Sequence, residues 1–306
     1  MSDARRVRVG FGLGVGRLVD GRRDLAQVVD LLEELGFDSF WASDVPGSFA
    51  PDPVAALAFA AGRTERLKLG TSVLIAPGFT PTRMAKQLAT LDRLSDGRFF
   101  PVLGLGSPDP DVLGALGMDR GQRGPVVDEL IPLVRRIWAE DEVTHVGAHF
   151  MLDGYRPQMR PLNGRLSVWL GGRSLTELRR AGRLADGWLA SFATPDEVAA
   201  SIPVVRSAAD DAGRIVPADH MGVLLLYSLG PPGPEVEEFA RWRRPDLDPA
   251  EVVPVGPTAL ASLITRHIAA GASKFIVIPA ERPESWRHEL TALREVVAGL
   301  ERPEAA

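Results

Sequence analysis

Residues 7–43 read VRVGFGLGVGRLVDGRRDLAQVVDLLEELGFDSFWAS. Val7 to Gly12 is a short apolar run with strand-forming valines and a phenylalanine. From about Arg23 to Leu35 the spacing changes. Leu25, Val28, Val29, Leu32 and Leu35 recur at three and four residues, which places them on one helical face. Gly36 supplies the stop, and Asp38 to Ser43 returns to a strand. A strand, a helix and a second strand in this order form one βα repeat of a parallel sheet.

The same alternation continues outward. Further strands are expected at Leu67–Leu74, Arg98–Leu105, Leu166–Leu170, Ala185–Ser191, Met221–Tyr227 and Lys274–Ile278, which makes eight in all. Helices are expected over Ala55–Arg63, Pro81–Leu94 and Val126–Trp138, with another beginning near Leu175. Eight βα units predict an α/β chain closed as a (β/α)8 TIM barrel, in preference to an open doubly wound sheet. The whole chain, 1–306, is read as one barrel domain. Two stretches depart from the repeat. Residues 141–154 read as a hairpin-like insertion, and the region near 228–256, opened by Pro231-Pro232-Gly233-Pro234, as a lid or excursion at the barrel mouth.

Composition narrows the chemistry. Apolar residues make up 45% and charged residues 25%, which is ordinary for a globular chain. The absence of cysteine excludes disulfides, thiolate metal sites and cysteine nucleophiles, and fits a cytoplasmic protein. A net charge of −5 without a dense basic run gives no footprint for nucleic acid. The start, Met1 to Arg8, lacks the apolar stretch of a signal peptide, and no run reaches the length of a membrane span. The tail Glu301–Ala306 is expected to fray. No metal site is expected: His145 and His149 stand four apart, but in the hairpin-like segment rather than on a helix.

In a barrel, function gathers at the C-terminal ends of the strands. The second strand ends at Asp44, readable as a ligand-facing carboxylate or as an N-cap or turn aspartate before Pro46-Gly47. The third ends in Gly70-Thr71-Ser72-Val73. Gly104 and Gly106 end the fourth at alternate positions, clearing one face for a flat ligand, with a bulge as the alternative. After the fifth comes Gly171-Gly172-Arg173-Ser174, where backbone amides meet a helix N-terminus. That is an anion site, in which Arg173 adds a guanidinium and Ser174 also serves as N-cap. No GxSxG elbow or phosphate-binding P-loop occurs.

These segments together resemble the luciferase-like monooxygenase superfamily, in particular its actinobacterial F420-dependent oxidoreductases. The likeness rests on Glu34–Trp41, Gly70–Leu74, Ala85–Arg98, Val168–Ser174 and Ala185–Leu189. It implies a barrel with a deazaflavin, coenzyme F420, or alternatively FMN, at its mouth. It implies a non-proline cis peptide at Ser72–Val73 against the ring, a ring-contacting strand end at Gly104–Gly106, and a phosphate loop at Gly171–Ser174. Asp44 matches an aspartate that approaches the deazaflavin, and is the best candidate for contact with the reactive ring. Hydride transfer to or from a small organic substrate, and possible homodimers, are the family's pattern. The alternatives are an FMN-dependent monooxygenase and a non-catalytic flavin- or deazaflavin-binding protein. Two departures stand out. Sugar-phosphate dehydrogenases of the family follow the aspartate with a histidine, where this chain has Val45. They place a glutamate after the fourth strand, where this chain has Ser107-Pro108. Glucose-6-phosphate oxidation is therefore not expected, and the paired histidines of bacterial luciferase are absent too. Asp109 and Asp111 remain as polar groups near the mouth.

Overall fold

A computed structural model describes residues 6–14 and 16–301. Most of the tail expected to fray, from residue 302 onward, lies outside the described residues. The strands are β1 (Arg8–Leu13), β2 (Ser39–Ala42), β3 (Lys68–Thr71), β4 (Leu74–Ile75), β5 (Phe99–Phe100), β6 (Val102–Gly104), β7 (Val143–Val146), β8 (Met151–Tyr155), β9 (Trp169–Gly171), β10 (Gly187–Ser191), β11 (Met221–Tyr227) and β12 (Lys274–Pro279). The helices are α1 (Gly21–Glu34), α2 (Pro53–Ala61), α3 (Pro81–Leu94), α4 (Pro110–Ala115), α5 (Arg123–Ala139), α6 (Leu175–Leu184), α7 (Pro195–Asp211), α8 (Pro234–Arg243), α9 (Pro249–Val252), α10 (Pro257–Ala269) and α11 (Trp286–Ala298).

Pairing in the main sheet is parallel throughout and closes on itself. β3 and β4 are the two halves of the third barrel strand, broken at Ser72–Val73; β5 and β6 are the halves of the fourth, broken at Pro101. The lower halves pair (β3 with β5) and the upper halves pair (β4 with β6), while β6 goes on to β9. The ten-strand order ends at β4 and β5, halves of the adjacent third and fourth barrel strands, so the ring closes through that pair. Thr71 bridges the break: its hydroxyl donates to the Val102 carbonyl at 2.8 Å and accepts from the Val102 amide at 2.9 Å. The barrel expected from the sequence is therefore present, and the two broken strands sit next to each other.

Inside the ring the packing is dense. Trp41 of β2 is almost fully buried, and a Cβ at Gly70 would stand 2.2 Å from its ring. Glycine in β3 thus makes room for an aromatic neighbour. At the N-terminal end of the barrel, Asp38 pairs with Lys274 of β12 and, at 3.2 Å, with Lys68 of β3. Burial alone would raise its pKa, but the two ammonium groups outweigh that and hold the carboxyl well below its ordinary value.

The insertion is the expected antiparallel hairpin, β7 with β8. Glu129 of α5 fastens it, accepting from the amides of His149 (3.0 Å) and Phe150 (2.9 Å) and contacting His145 Nε2 at 2.9 Å. Of the lid or excursion expected at 228–256, the structure shows an excursion built of helices. It carries α8 and α9, with Pro234 at the start of α8, where a missing amide hydrogen is tolerated. Its neck is closed by Ser228 N to Pro254 O (3.1 Å) and Gly256 N to Ser228 O (2.8 Å). Arg244, buried, ties the excursion to α7 through Glu197. The turn residues are legible in the sequence; the helices of this region were not among the expected ones.

His267 on α10 is fully buried, and neither ring nitrogen has a hydrogen-bond partner. Burial, with Arg266 adjacent, lowers its pKa from 6.5 to about 4. The folded pKa lies below the unfolded one, so between those values the unfolded chain binds a proton that the folded chain refuses. Stability should therefore fall as pH drops through this window. His267→Leu should remove the component, so that the wild-type-minus-variant unfolding free energy changes by about 1–3 kcal/mol between pH 7 and pH 4 in urea titrations. Parallel pH curves would show that His267 does not titrate this way.

Candidate functional site

The break in the third strand builds the centre of the barrel mouth. The Ser72–Val73 peptide bond is cis, as the family resemblance implied. Its surroundings hold it from several sides. Ser72 N donates to Ala42 O at 2.9 Å, and Ser43 Oγ donates to Ser72 O at 2.9 Å. Asp44 N donates to Val73 O at 2.9 Å, and the Asp44 carboxylate accepts from Ile75 N at 3.1 Å. Asp44 is thus neither a helix cap nor a simple turn residue. It replaces, with its own backbone and side chain, the ladder that the third strand loses at Val73. Half-burial raises its pKa, the Ile75 amide opposes that, and Asp52 adds to the rise.

Gly104 and Gly106 do clear one face, but protein side chains fill the space. A Cβ at Gly104 would stand 2.4 Å from Val73 Cγ2, and one at Gly106 3.0 Å from Ile75 Cγ2. At Gly171 a Cβ would stand 2.9 Å from Val73 Cγ1. The two strand ends therefore form a socket for Val73, which remains half-buried at the mouth. The half-buried Val73 isopropyl group, not bare glycine backbone, is thus presented here. Arg123 lies behind Gly106, donating to its carbonyl at 2.8 Å.

The loop Gly171–Ser174 holds an anion already: the chain's own Glu177. Its Oε2 accepts from Arg173 N (3.1 Å), Ser174 N (2.9 Å) and Ser174 Oγ (2.8 Å). Glu177 N donates back to Ser174 Oγ, which completes a capping box on α6. Three donors on one carboxylate oxygen are the arrangement a phosphate oxygen would use. Gly172 has φ +139° and a carbonyl that accepts from Trp188 Nε1 at 2.8 Å; a Cβ there would meet Glu177 Cβ at 2.6 Å. Arg173 does not turn back over the loop: its Nη1 donates to Phe192 O at 3.0 Å.

The remaining candidates are quieter. Asp109 caps α4, accepting from Asp111 N at 2.9 Å, and Ser107 Oγ accepts from Asp109 N at 3.2 Å. Among the described residues no group of three His, Asp or Glu could hold a metal ion, and no helix is long and apolar enough to cross a membrane. Sequence reasoning missed Ser43, Arg123, Glu177 and Phe192. Only Glu177 carried a readable signal, the Ser-x-x-Glu spacing from Ser174.

A closed parallel barrel with a broken third strand at its mouth, and an anion loop after the fifth barrel strand, defines the class of protein. A family profile described as luciferase-like monooxygenase matches residues 7–238, and the chain belongs to that family. A putative coenzyme F420-dependent oxidoreductase of Mycobacterium tuberculosis is 34% identical over 56% of this chain and 51% of its own length. An F420-dependent glucose-6-phosphate dehydrogenase of Amycolatopsis mediterranei is 31% identical over 64% of this chain and 62% of its own length. The matched region thus spans between half and two thirds of these relatives. The solved structure of an F420-dependent secondary alcohol dehydrogenase, in complex with an F420–acetone adduct, superposes with a TM-score of 0.80 at 18% identity. That match covers 97% of this chain and 99% of that one, and it shows a shared fold.

The socket makes a steric prediction. Gly104→Ala should destabilise the protein by about 1–3 kcal/mol in urea unfolding, because the new methyl group competes with Val73 for one space. In a double-mutant cycle with Val73→Ala, the two costs should be less than additive, coupling by about 1 kcal/mol. Additive costs would show that the two residues do not share that space.

Proposed function

We propose that this protein is an oxidoreductase that binds coenzyme F420 at the barrel mouth and serves hydride transfer to or from a small organic substrate. The observation that carries the reading is the Val73 platform. It is fixed by Asp44, seated in the gaps of Gly104 and Gly171, and half-open to the mouth. Such a platform suits the face of a flat ring. The two relatives above are described as F420-dependent, the mycobacterial one as putatively so, which supports the same choice. When bound, the deazaflavin supplies a two-electron hydride centre. The chain's part is to orient and to exclude water. Val73 would support one ring face, Asp44 keeps that platform in place, and the amides of Arg173 and Ser174 would receive the phosphate. The donors fit a phosphate, provided that the Glu177 carboxylate leaves them.

A second reading has one observation in its favour. Val45 and Ser107 stand where sugar-phosphate dehydrogenases of the family keep a histidine and a glutamate, and Ser107 is engaged in its own turn. That pattern would suit a cofactor-binding protein without turnover. The primary test titrates purified protein with F420 and with FMN, followed by fluorescence. F420 should bind more tightly; tight FMN binding with no F420 binding would replace the reading with a flavin-dependent one. If bound reduced F420 resists re-oxidation by every imine, enone and carbonyl acceptor tried, the non-catalytic reading stands instead.

Glu177 provides a sharper expectation. A carboxylate and a phosphate compete for one set of donors, so Glu177→Gln should raise affinity for F420 by about three- to tenfold, on the order of 1 kcal/mol. The same substitution should leave the phosphate-free deazaflavin chromophore unaffected. An equal change for both ligands would place Glu177 outside the phosphate's path.

A further inference from the structure

Beyond the anion loop, around the rim in the order β9, β10 and β11, a set of arginines surrounds Phe192. This residue, directly after β10, has φ +52°. A bulky residue in that left-handed region is uncommon and costs about 1 kcal/mol or more, so its surroundings must hold it there. They do so from both ends. Its carbonyl accepts from Arg173 Nη1 at 3.0 Å and from Arg244 Nη1. Its ring lies 5.0 Å from the guanidinium carbon of Arg243, which is also 5.6 Å from the ring of Trp242. Phe239 packs edge-on against Phe192 at 5.8 Å.

The charges of these arginines are met unequally. Arg244 is buried and paired with both Glu197 and Asp246, at 2.8 Å each. It is the anchor of the excursion and has no capacity to spare. Arg173 and Arg243 are different: among the described residues neither side chain has an ion pair or hydrogen bond to a carboxylate. Both have pKa values lowered by burial; Arg243 lies in the field of Arg173, and Arg173 in that of Arg244, which Glu197, Asp246 and Glu177 offset in part. Two neighbouring guanidiniums without a direct ion pair, one of them over the Phe192 and Trp242 rings, favour an incoming anion, to which they offer fork-shaped contacts. Position decides which anion. The ring platform is at β4 and β6 and the phosphate donors follow β9, so the arginines lie on the far side of the phosphate from the ring. A substrate must stack on the ring; a group at Phe192 must instead extend from the phosphate end.

We propose that Arg173 and Arg243, gathered around Phe192, form a subsite for the acidic glutamyl extension that F420 carries beyond its phosphate. The inference rests on the F420 reading above. It gives the excursion 228–256 a task, since only α8 delivers Arg243 to the mouth. It also separates F420 from FMN, which ends at its phosphate.

The experiment compares wild type, Arg243→Gln and Arg243→Lys against F420 bearing several glutamates, F420 bearing one, and the phosphate-free chromophore, at low and high salt. Thermal melts establish that each variant is folded. For Arg243→Gln, the dissociation constant of the several-glutamate form should rise at least fivefold at low salt. The one-glutamate form should lose less, and the chromophore nothing. Arg243→Lys should recover part of the loss, and added salt should shrink the difference between wild type and variant. Equal losses for all three ligands, or none for the several-glutamate form, would overturn the subsite while leaving the F420 reading intact. If wild type itself binds no F420, the F420 reading fails, and the subsite with it.

Discussion

The mouth of this barrel depends on how Asp44 replaces a missing rung. The third strand leaves the regular ladder at Ser72–Val73, and Asp44 takes up both exposed groups: its amide holds Val73 O, and its carboxylate holds Ile75 N. A buried amide without a partner costs about 1–3 kcal/mol, and the Asp44 carboxylate removes that cost at Ile75. Val73 then stands where no regular strand would put it. Gly104 and Gly171 have no side chains because that space belongs to Val73. Thr71 closes the ring below the kink by pairing with both polar groups of Val102. Four strands therefore adjust to one irregular residue, and the half-exposed isopropyl group is the result.

The anion chemistry follows from the same economy of donors. Backbone amides at the start of α6 need an acceptor, and Glu177 supplies one. Hydrogen bonds to a charged acceptor contribute about 1.5–3 kcal/mol each at most, and part of that is lost when the carboxylate leaves for another anion. The internal carboxylate thus sets how strong an external ligand must be to enter. Farther around the rim, Arg244 spends its charge on Glu197 and Asp246 to hold the excursion in place, while its neighbour Arg243 has, among the described residues, aromatic contacts and no ion pair. Adjacent residues on one helix end thereby serve different purposes.

Much of this was legible along the chain. Leu25, Val28, Val29 and Leu32 all prove buried on α1, and the strands from Arg8 to Pro279 fall close to where their apolar runs predicted. The hairpin after α5 was visible as a segment that does not fit the βα repeat. Three details came only with the structure. Spacing marks the alternate glycines 104 and 106 as clearing a face, but cannot tell a vacant face from one filled by a distant side chain. It sets Arg173 beside the loop, but does not reveal that Phe192 O lies within reach. It offers a lid or an excursion at 228–256, but not what ties the excursion down, since 47 positions separate Arg244 from Glu197.

The sequence alone determined the alternation of strand and helix, the number of strands, and the places where glycine and small polar residues cluster. These follow from local periodicity and turn chemistry, which act over a few residues. The tertiary structure alone decided what occupies each cleared space and which donor meets which acceptor. Val73 against Gly104 and Gly171, Glu177 on its own loop, and Arg243 over Phe192 all arise because barrel closure brings separate strand ends to one rim. Closure is a long-range constraint. It fixes distances that no window of sequence contains.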